Sequence, residues 1–173
     1  TFKSFEEGIY RRDAVLETNR DIQYNLADIP LPNGVLRIDR VSVPSATTIR
    51  LGHYTLPKVE GKTFSIEKSK QVPEATIIGN GEYKLATVPL YGWDKTSVHY
   101  PVGLHPVSNM CSLIMSEKAV NGEHIVVTLH LWKKGKQPFS KKELCPVKEV
   151  KVADDLSSVE IIMTDKSTKI VKF

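Results

Sequence analysis

The sequence has 173 residues, 40% hydrophobic and 25% charged, with 24 Lys and Arg against 20 Asp and Glu for a formal net charge of +4. That composition is of the ordinary globular kind; it excludes a disordered chain, a collagen-like repeat and, with two cysteines, a disulfide framework. No run approaches the roughly 18 uninterrupted apolar residues of a membrane-spanning helix, and Ile125 to Leu131 is already broken by Thr128 and His130.

The chain opens without an initiator Met or an apolar signal segment, so either a leader has been removed or this is a piece of a longer polypeptide. Ser4 to Arg12 is the one stretch that could make a helical turn or two, and Gly8 weakens it. From there the hydrophobic period is two. Strands are expected at Ala14–Thr18 and Ile22–Leu26, then at Val35–Val41, where Leu36 and Ile38 share one side and Arg37 and Asp39 the other. Thr47–Leu56, Thr63–Lys68, Ala75–Ile78, Tyr83–Tyr91, Ser97–Tyr100 and Ser112–Ser116 follow. In Glu123–Lys133, Ile125, Val127, Leu129 and Leu131 lie on one face and His124, Val126, Thr128, His130 and Trp132 on the other. Lys148–Val152 precedes a hairpin pattern, Val159–Thr164 and Lys169–Phe173 around Asp165-Lys-Ser. Turn signals at Pro32-Asn-Gly, Glu60-Gly-Lys, Gly79-Asn-Gly, Asn121-Gly-Glu and Lys134-Gly-Lys separate the strands. Roughly a dozen short strands with little helix read as an all-β antiparallel β-sandwich, one domain over residues 1–173, with a closed barrel ranked below it.

Chemistry concentrates in Pro89–Val107, which carries Tyr91, Trp93, Asp94, His99, Tyr100 and His105 among Gly92, Pro101, Gly103 and Pro106. A sugar ring offers an apolar C–H face for Trp and Tyr and hydroxyls for Asp and His, so such a cluster on loops suits a carbohydrate surface. The competing reading is that Trp93 and Tyr100 fill the core and His99 caps a crossing between sheets. Arg37, Asp39, Arg40, Arg50 and His53 form a second group, either a cross-strand ion-pair ladder or a cationic groove in which Arg binds a carboxylate or sulfate bidentately. The lysines at 133, 134, 136, 141 and 142, broken by Gly135 and Pro138, read as a solvated loop, with a polyanion patch as the alternative. Nucleic acid is not expected, because interleaved aromatics and Arg are missing there.

No GxSxG, no His beside Cys111 or Cys145, no metal-ligand spacing and no Gly-rich phosphate loop occurs. Glu17, Asp28, Asp39 and Asp94 have no spacing that marks a glycosidase pair. The chain alone is therefore expected to be non-catalytic, without cofactor or metal; a bridge between Cys111 and Cys145 stays open.

The stretches Asp13-Ala-Val-Leu-Glu-Thr, Leu31-Pro-Asn-Gly-Val-Leu-Arg-Ile-Asp-Arg-Val and Leu51-Gly-His-Tyr-Thr-Leu-Pro resemble the C-terminal β-sandwich of a bacterial family related to heparinase II/III-type proteins. His99-Tyr-Pro-Val-Gly-Leu-His-Pro-Val, the apolar Cys111–Met115 and His130-Leu-Trp are similar to that domain's later half. In that family an N-terminal (α/α) toroid forms most of a cleft for uronic-acid-containing glycans, and the sandwich packs against it and can contribute residues. The toroid has no counterpart in these residues. What the resemblance implies here is a non-catalytic β-sandwich module of a carbohydrate-active protein contacting acidic glycans, with a contact role for Arg37, Arg40, His99 and His105. It also implies a toroid partner and, with the missing Met, a periplasmic or extracellular place of action. A structural or protein-interaction sandwich, and a part of a lyase or glycoside hydrolase active site, remain the alternatives.

Overall fold

The computed structural model describes the backbone of residues 2–6, 8–16, 19–55, 58–59, 62–63, 65–79, 81–99 and 111–173, and the side chains of 4, 8–13, 22–48, 65, 67–79, 81–95 and 121–173. The strands are β1 (Phe2–Glu6), β2 (Ile9–Leu16), β3 (Asn19–Leu31), β4 (Gly34–Thr55), β5 (Lys58–Val59), β6 (Lys62–Thr63), β7 (Ser65–Lys68), β8 (Thr76–Gly79), β9 (Tyr83–Tyr91), β10 (Thr96–His99), β11 (Cys111–Lys134), β12 (Val147–Val152), β13 (Ser158–Met163) and β14 (Thr168–Lys172). One short helix, α1 (Lys141–Leu144), sits between β11 and β12.

A nine-stranded antiparallel sheet runs β1-β2-β3-β4-β11-β9-β8-β7, with β10 also paired to β11, and a three-stranded meander β12-β13-β14 packs on one of its faces. The fold is an all-β sandwich of unequal layers. Its inner face follows the alternation of the sequence: Ile29, Leu36, Ile38, Ile125, Val127 and Leu129 are each at most 2% exposed and join Val159, Ile161 and Val171 of the small sheet in one core. Each such side chain contributes about 1.5–3 kcal/mol through burial. Phe139 and Leu144, at 2% and 0% exposure, plug one end of this core from the segment after β11.

Several strands differ from the sequence reading. Ser4 to Arg12 is not helical but spans the β1–β2 hairpin, whose turn is Gly8 at φ +76°. The expected strand Val35–Val41 and the described part of Thr47–Leu56, up to Thr55, are one 22-residue strand, β4, and Ser112–Ser116 and Glu123–Lys133 are likewise one 24-residue strand, β11. Asn121-Gly-Glu is therefore no hairpin turn. Register shifts between Met115 and Lys118 and between Val120 and Gly122 absorb extra residues, and Gly122 sits at φ +84°, so β11 bends without leaving β4. The hairpins at Pro32-Asn-Gly and Asp165-Lys-Ser form as expected, the first closing on the Leu31–Gly34 pair. Gly34 is required there, since a Cβ would lie 2.3 Å from the His130 carbonyl oxygen.

The lysine-rich segment is also more built than a solvated loop. Lys84 Nζ donates to the carbonyls of Gly135, Lys136 and Gln137 at 2.8, 2.7 and 3.0 Å. Ser140 caps α1 in a reciprocal box with Glu143, which also accepts from Lys133 Nζ at 2.8 Å. Three hydrogen bonds, one of them the Lys133 salt bridge that contributes most, hold the Glu143 carboxyl down at about 2.

Candidate functional site

The turn after β9 places the aromatic cluster. Gly92 takes φ +76°, and a Cβ there would meet the Ile125 carbonyl oxygen at 2.3 Å, so only glycine lets the chain cross β11 this closely. His124 Nε2 lies 3.1 Å from the Gly92 carbonyl. Trp93, half-buried, donates its indole N–H to Oγ1 of the fully buried Thr128 at 2.9 Å. Tyr91 stays 39% exposed. Together with Lys68, Glu74, Asp94 and Lys95 these two rings border a groove of about 380 Å³. Partial burial lowers the Lys68 ammonium, opposed by Glu74, so a cation stands on one side of the groove beside a carboxylate.

Thr128 connects this turn to the first arginine. On the sheet face turned away from β12–β14, Tyr10, Asp28, Arg37 and Thr128 are register partners in one row across β2, β3, β4 and β11. Arg37 forks onto Asp28 with Nε to Oδ1 at 2.8 Å and Nη2 to Oδ2 at 2.9 Å, while Arg12 Nη2 lies 3.7 Å from Asp28 Oδ2. That hydrogen bond raises the Arg37 guanidinium above its ordinary value despite its burial. Next along β4, Asp39 is 2% exposed and its Oδ1 accepts from the Tyr24 hydroxyl; Oδ2 has no hydrogen-bond partner. Burial pushes the Asp39 carboxyl up to about 6, against the lowering effects of Tyr24 and Arg37, and burial together with Asp39 pushes Tyr24 up as well. With its pKa raised, the Tyr24 phenol keeps its proton at neutral pH and holds it toward Asp39, so the pair forms a buried polar anchor.

Arg40 is three residues from Arg37 and lies on the opposite face of the sheet. It pairs with Glu123 at 2.7 Å, stands over the Phe173 ring at 5.7 Å, and borders a separate hollow of about 170 Å³ with Arg11, Asp13 and Asn25. The two arginines thus do not converge. Of the expected contact residues, Tyr91, Trp93 and Asp94 are brought together, and Arg37 shares their sheet face through Thr128. His99 pairs with Ser112 through its backbone, but its side chain, together with those of Arg50, His53 and Cys111, lies outside the described residues, as do Tyr100 and His105 altogether. Cys145 is a free thiol. Among the described residues no group of three His, Cys, Asp or Glu is arranged to hold a metal ion, and no helix is long and apolar enough to cross a membrane.

No family model and no curated protein matches the sequence. Solved structures do. The chain superposes on heparinase III, the BT4657 gene product, with a TM-score of 0.64 and 13% identity, over 100% of this chain and 27% of that one. Heparan sulfate lyase HepC from Pedobacter heparinus gives a TM-score of 0.55 at 13% identity, and a HepC mutant 0.57 at 15%, each over 100% of this chain and 27% of theirs. The fold is that of about a quarter of these lyases. At such identities the likeness is one of fold, and it agrees with the heparinase II/III-type sandwich that the sequence resembles.

Proposed function

We propose that this chain is the β-sandwich portion of a larger polysaccharide-active protein and that it contacts acidic, uronic-acid-containing glycans without cleaving them itself. The observation that carries this reading is the full-length match of the chain to about a quarter of heparinase III and HepC. The groove at Tyr91 and Trp93 supports the glycan contact. Trp93 is held by Thr128 and Tyr91 leaves a ring face open, so a pyranose has a stacking surface, while Asp94 can bind hydroxyls and Lys68 and Lys95 an anionic substituent. Arg37, already clamped by Asp28, adds positive potential on the same face; Arg40 does not belong to this groove. His99, Tyr100 and His105, next in the chain, are proposed to extend it. A helical toroid, in the same or another polypeptide, would supply the cleft and the bond-breaking groups, and action would take place in the periplasm or outside the cell.

The test is retention on immobilised heparan sulfate as a function of salt. Binding at about 0.05 M NaCl that weakens steadily toward about 0.5 M is expected of screened charge contacts. No retention at the lower salt would overturn the glycan reading.

A further inference from the structure

We infer that a second, separate saccharide site lies at the end of the sandwich, in the groove between Trp132 and α1, and that it takes anionic sugars. Trp132 is the last tryptophan of the chain and is 51% exposed at the end of β11. An indole so placed leaves ring surface open to a ligand. Beside it a groove of about 620 Å³ opens between the β3–β4 turn, the end of β11 and α1. Leu131, Phe139 and Met163 give this groove an apolar lining, and Lys133, Lys134 and Lys142 add cations. That volume falls in the range of small-ligand sites.

The charges here are not cancelled. Of the nearby lysines Lys133 is paired with Glu143, and Lys84 is spent on three loop carbonyls. Among the described residues, no carboxylate is paired with Lys134, Lys136, Lys141 or Lys142. The groove is also held in shape: Phe139 and Leu144 are buried at either side of the capped turn, and the Trp132 backbone N–H donates to the Asn33 carbonyl at 2.9 Å. A flat ring face over an apolar lining accepts the C–H face of a pyranose, and several separate ammonium groups match carboxylates or sulfates spread around a sugar. A nucleic acid would call for successive stacking rings, yet of the two rings lining this groove Trp132 stands open and Phe139 is buried. This inference rests on the groove itself; it shares with the Tyr91–Trp93 reading the class of ligand and none of the residues.

The chain has two tryptophans, so in Trp93→Phe the emission reports Trp132 alone. Titrating a heparin-derived tetrasaccharide should shift that emission saturably, and cellotetraose should leave it unmoved. Replacing Lys134 and Lys142 together by Ala should weaken the heparin tetrasaccharide about tenfold, and polyglutamate of equal charge should bind at least about tenfold more weakly than the sugar. Because Trp93→Phe removes the bond to Thr128, the same titration is read in the wild type from the Trp132 indole N–H resonance, assigned by its loss in Trp132→Phe. An unmoved Trp132 signal, or equal responses to cellotetraose or to polyglutamate, would overturn the inference. Heparin binding that survives Trp132→Ala but is lost in Tyr91→Ala would sink this site while leaving the Tyr91–Trp93 groove standing.

Discussion

Near its centre the nine-stranded sheet buries side chains on both faces, by different means. Toward β12–β14, Leu129, Val127 and Ile38 are 0% exposed within the hydrophobic core, so burial itself supplies the stability. On the opposite face Thr128, Thr87 and Thr76 are equally at 0% exposure, with His130 at 6% and Asp39 at 2%. Buried polar groups are costly unless bonded, and here Trp93, Tyr24 and Arg37 furnish bonds and charge while Asp39 Oδ2 and Thr76 Oγ1 remain without a hydrogen bond. A face organised only for stability would be apolar. The polar face gives up stability to hold groups in fixed directions, and the Tyr91–Trp93 groove opens beside it.

The contrast can be broken from either side. On the inner face Leu129→Ala should lower unfolding free energy by about 3–5 kcal/mol in denaturant titration, as a core truncation with little room to collapse. On the other, Gly92→Ala forces an L side chain into φ +76° and against the Ile125 carbonyl. It should cost about 2–3 kcal/mol and move Trp93 off Thr128, seen as a shift in Trp93 emission.

Asp39 sharpens the comparison through pH. Its folded value of about 6 lies above the ordinary 3.8, so between those values the folded chain holds a proton that the unfolded chain has released. Stability from this group is therefore present at low pH and lost as pH rises through about 6. Relative to Asp39→Asn, the wild type should lose about 2–3 kcal/mol between pH 4 and pH 7, measured by denaturant titration at each pH. The smallest effect belongs to Glu143, which is partly exposed and has its folded value depressed to about 2. Its contribution is present above its ordinary 4.5 and fades as pH falls toward 2. Glu143→Gln should cost about 0.5–1 kcal/mol at pH 7 and nothing at the acid limit, seen as a small shift in the thermal midpoint.

Much of this was written in the period-two pattern. Ile125, Val127, Leu129 and Leu131 declared the inner face, and the same arithmetic places Arg37 and Arg40 on opposite faces because they are three apart. The Ser140-Lys-Lys-Glu143 capping signature was equally present in the lysine-rich segment, where composition suggested a solvated loop or a polyanion patch. What the pattern could not show is continuity. Asn121-Gly122 has the composition of a turn, yet long-range pairing with β4 makes it a bulge. The burial of Thr128 and Asp39 was hidden for a similar reason: alternation assigns a residue to a face but says nothing of what lies over it. The Tyr91-Gly92-Trp93 cluster was visible as composition, whereas its anchor on Thr128 depended on a sheet partner 35 residues away.

The most direct test of the glycan-contacting module is calorimetric titration of heparan sulfate oligosaccharides into the wild type and Tyr91→Ala, in a Trp132→Ala background that silences the second groove. The exposed Tyr91 ring should leave the melting temperature unchanged when removed, while affinity falls at least about tenfold, the loss of one stacking contact. Equal affinity in the two proteins, or no saturable heat in either, would contradict the account.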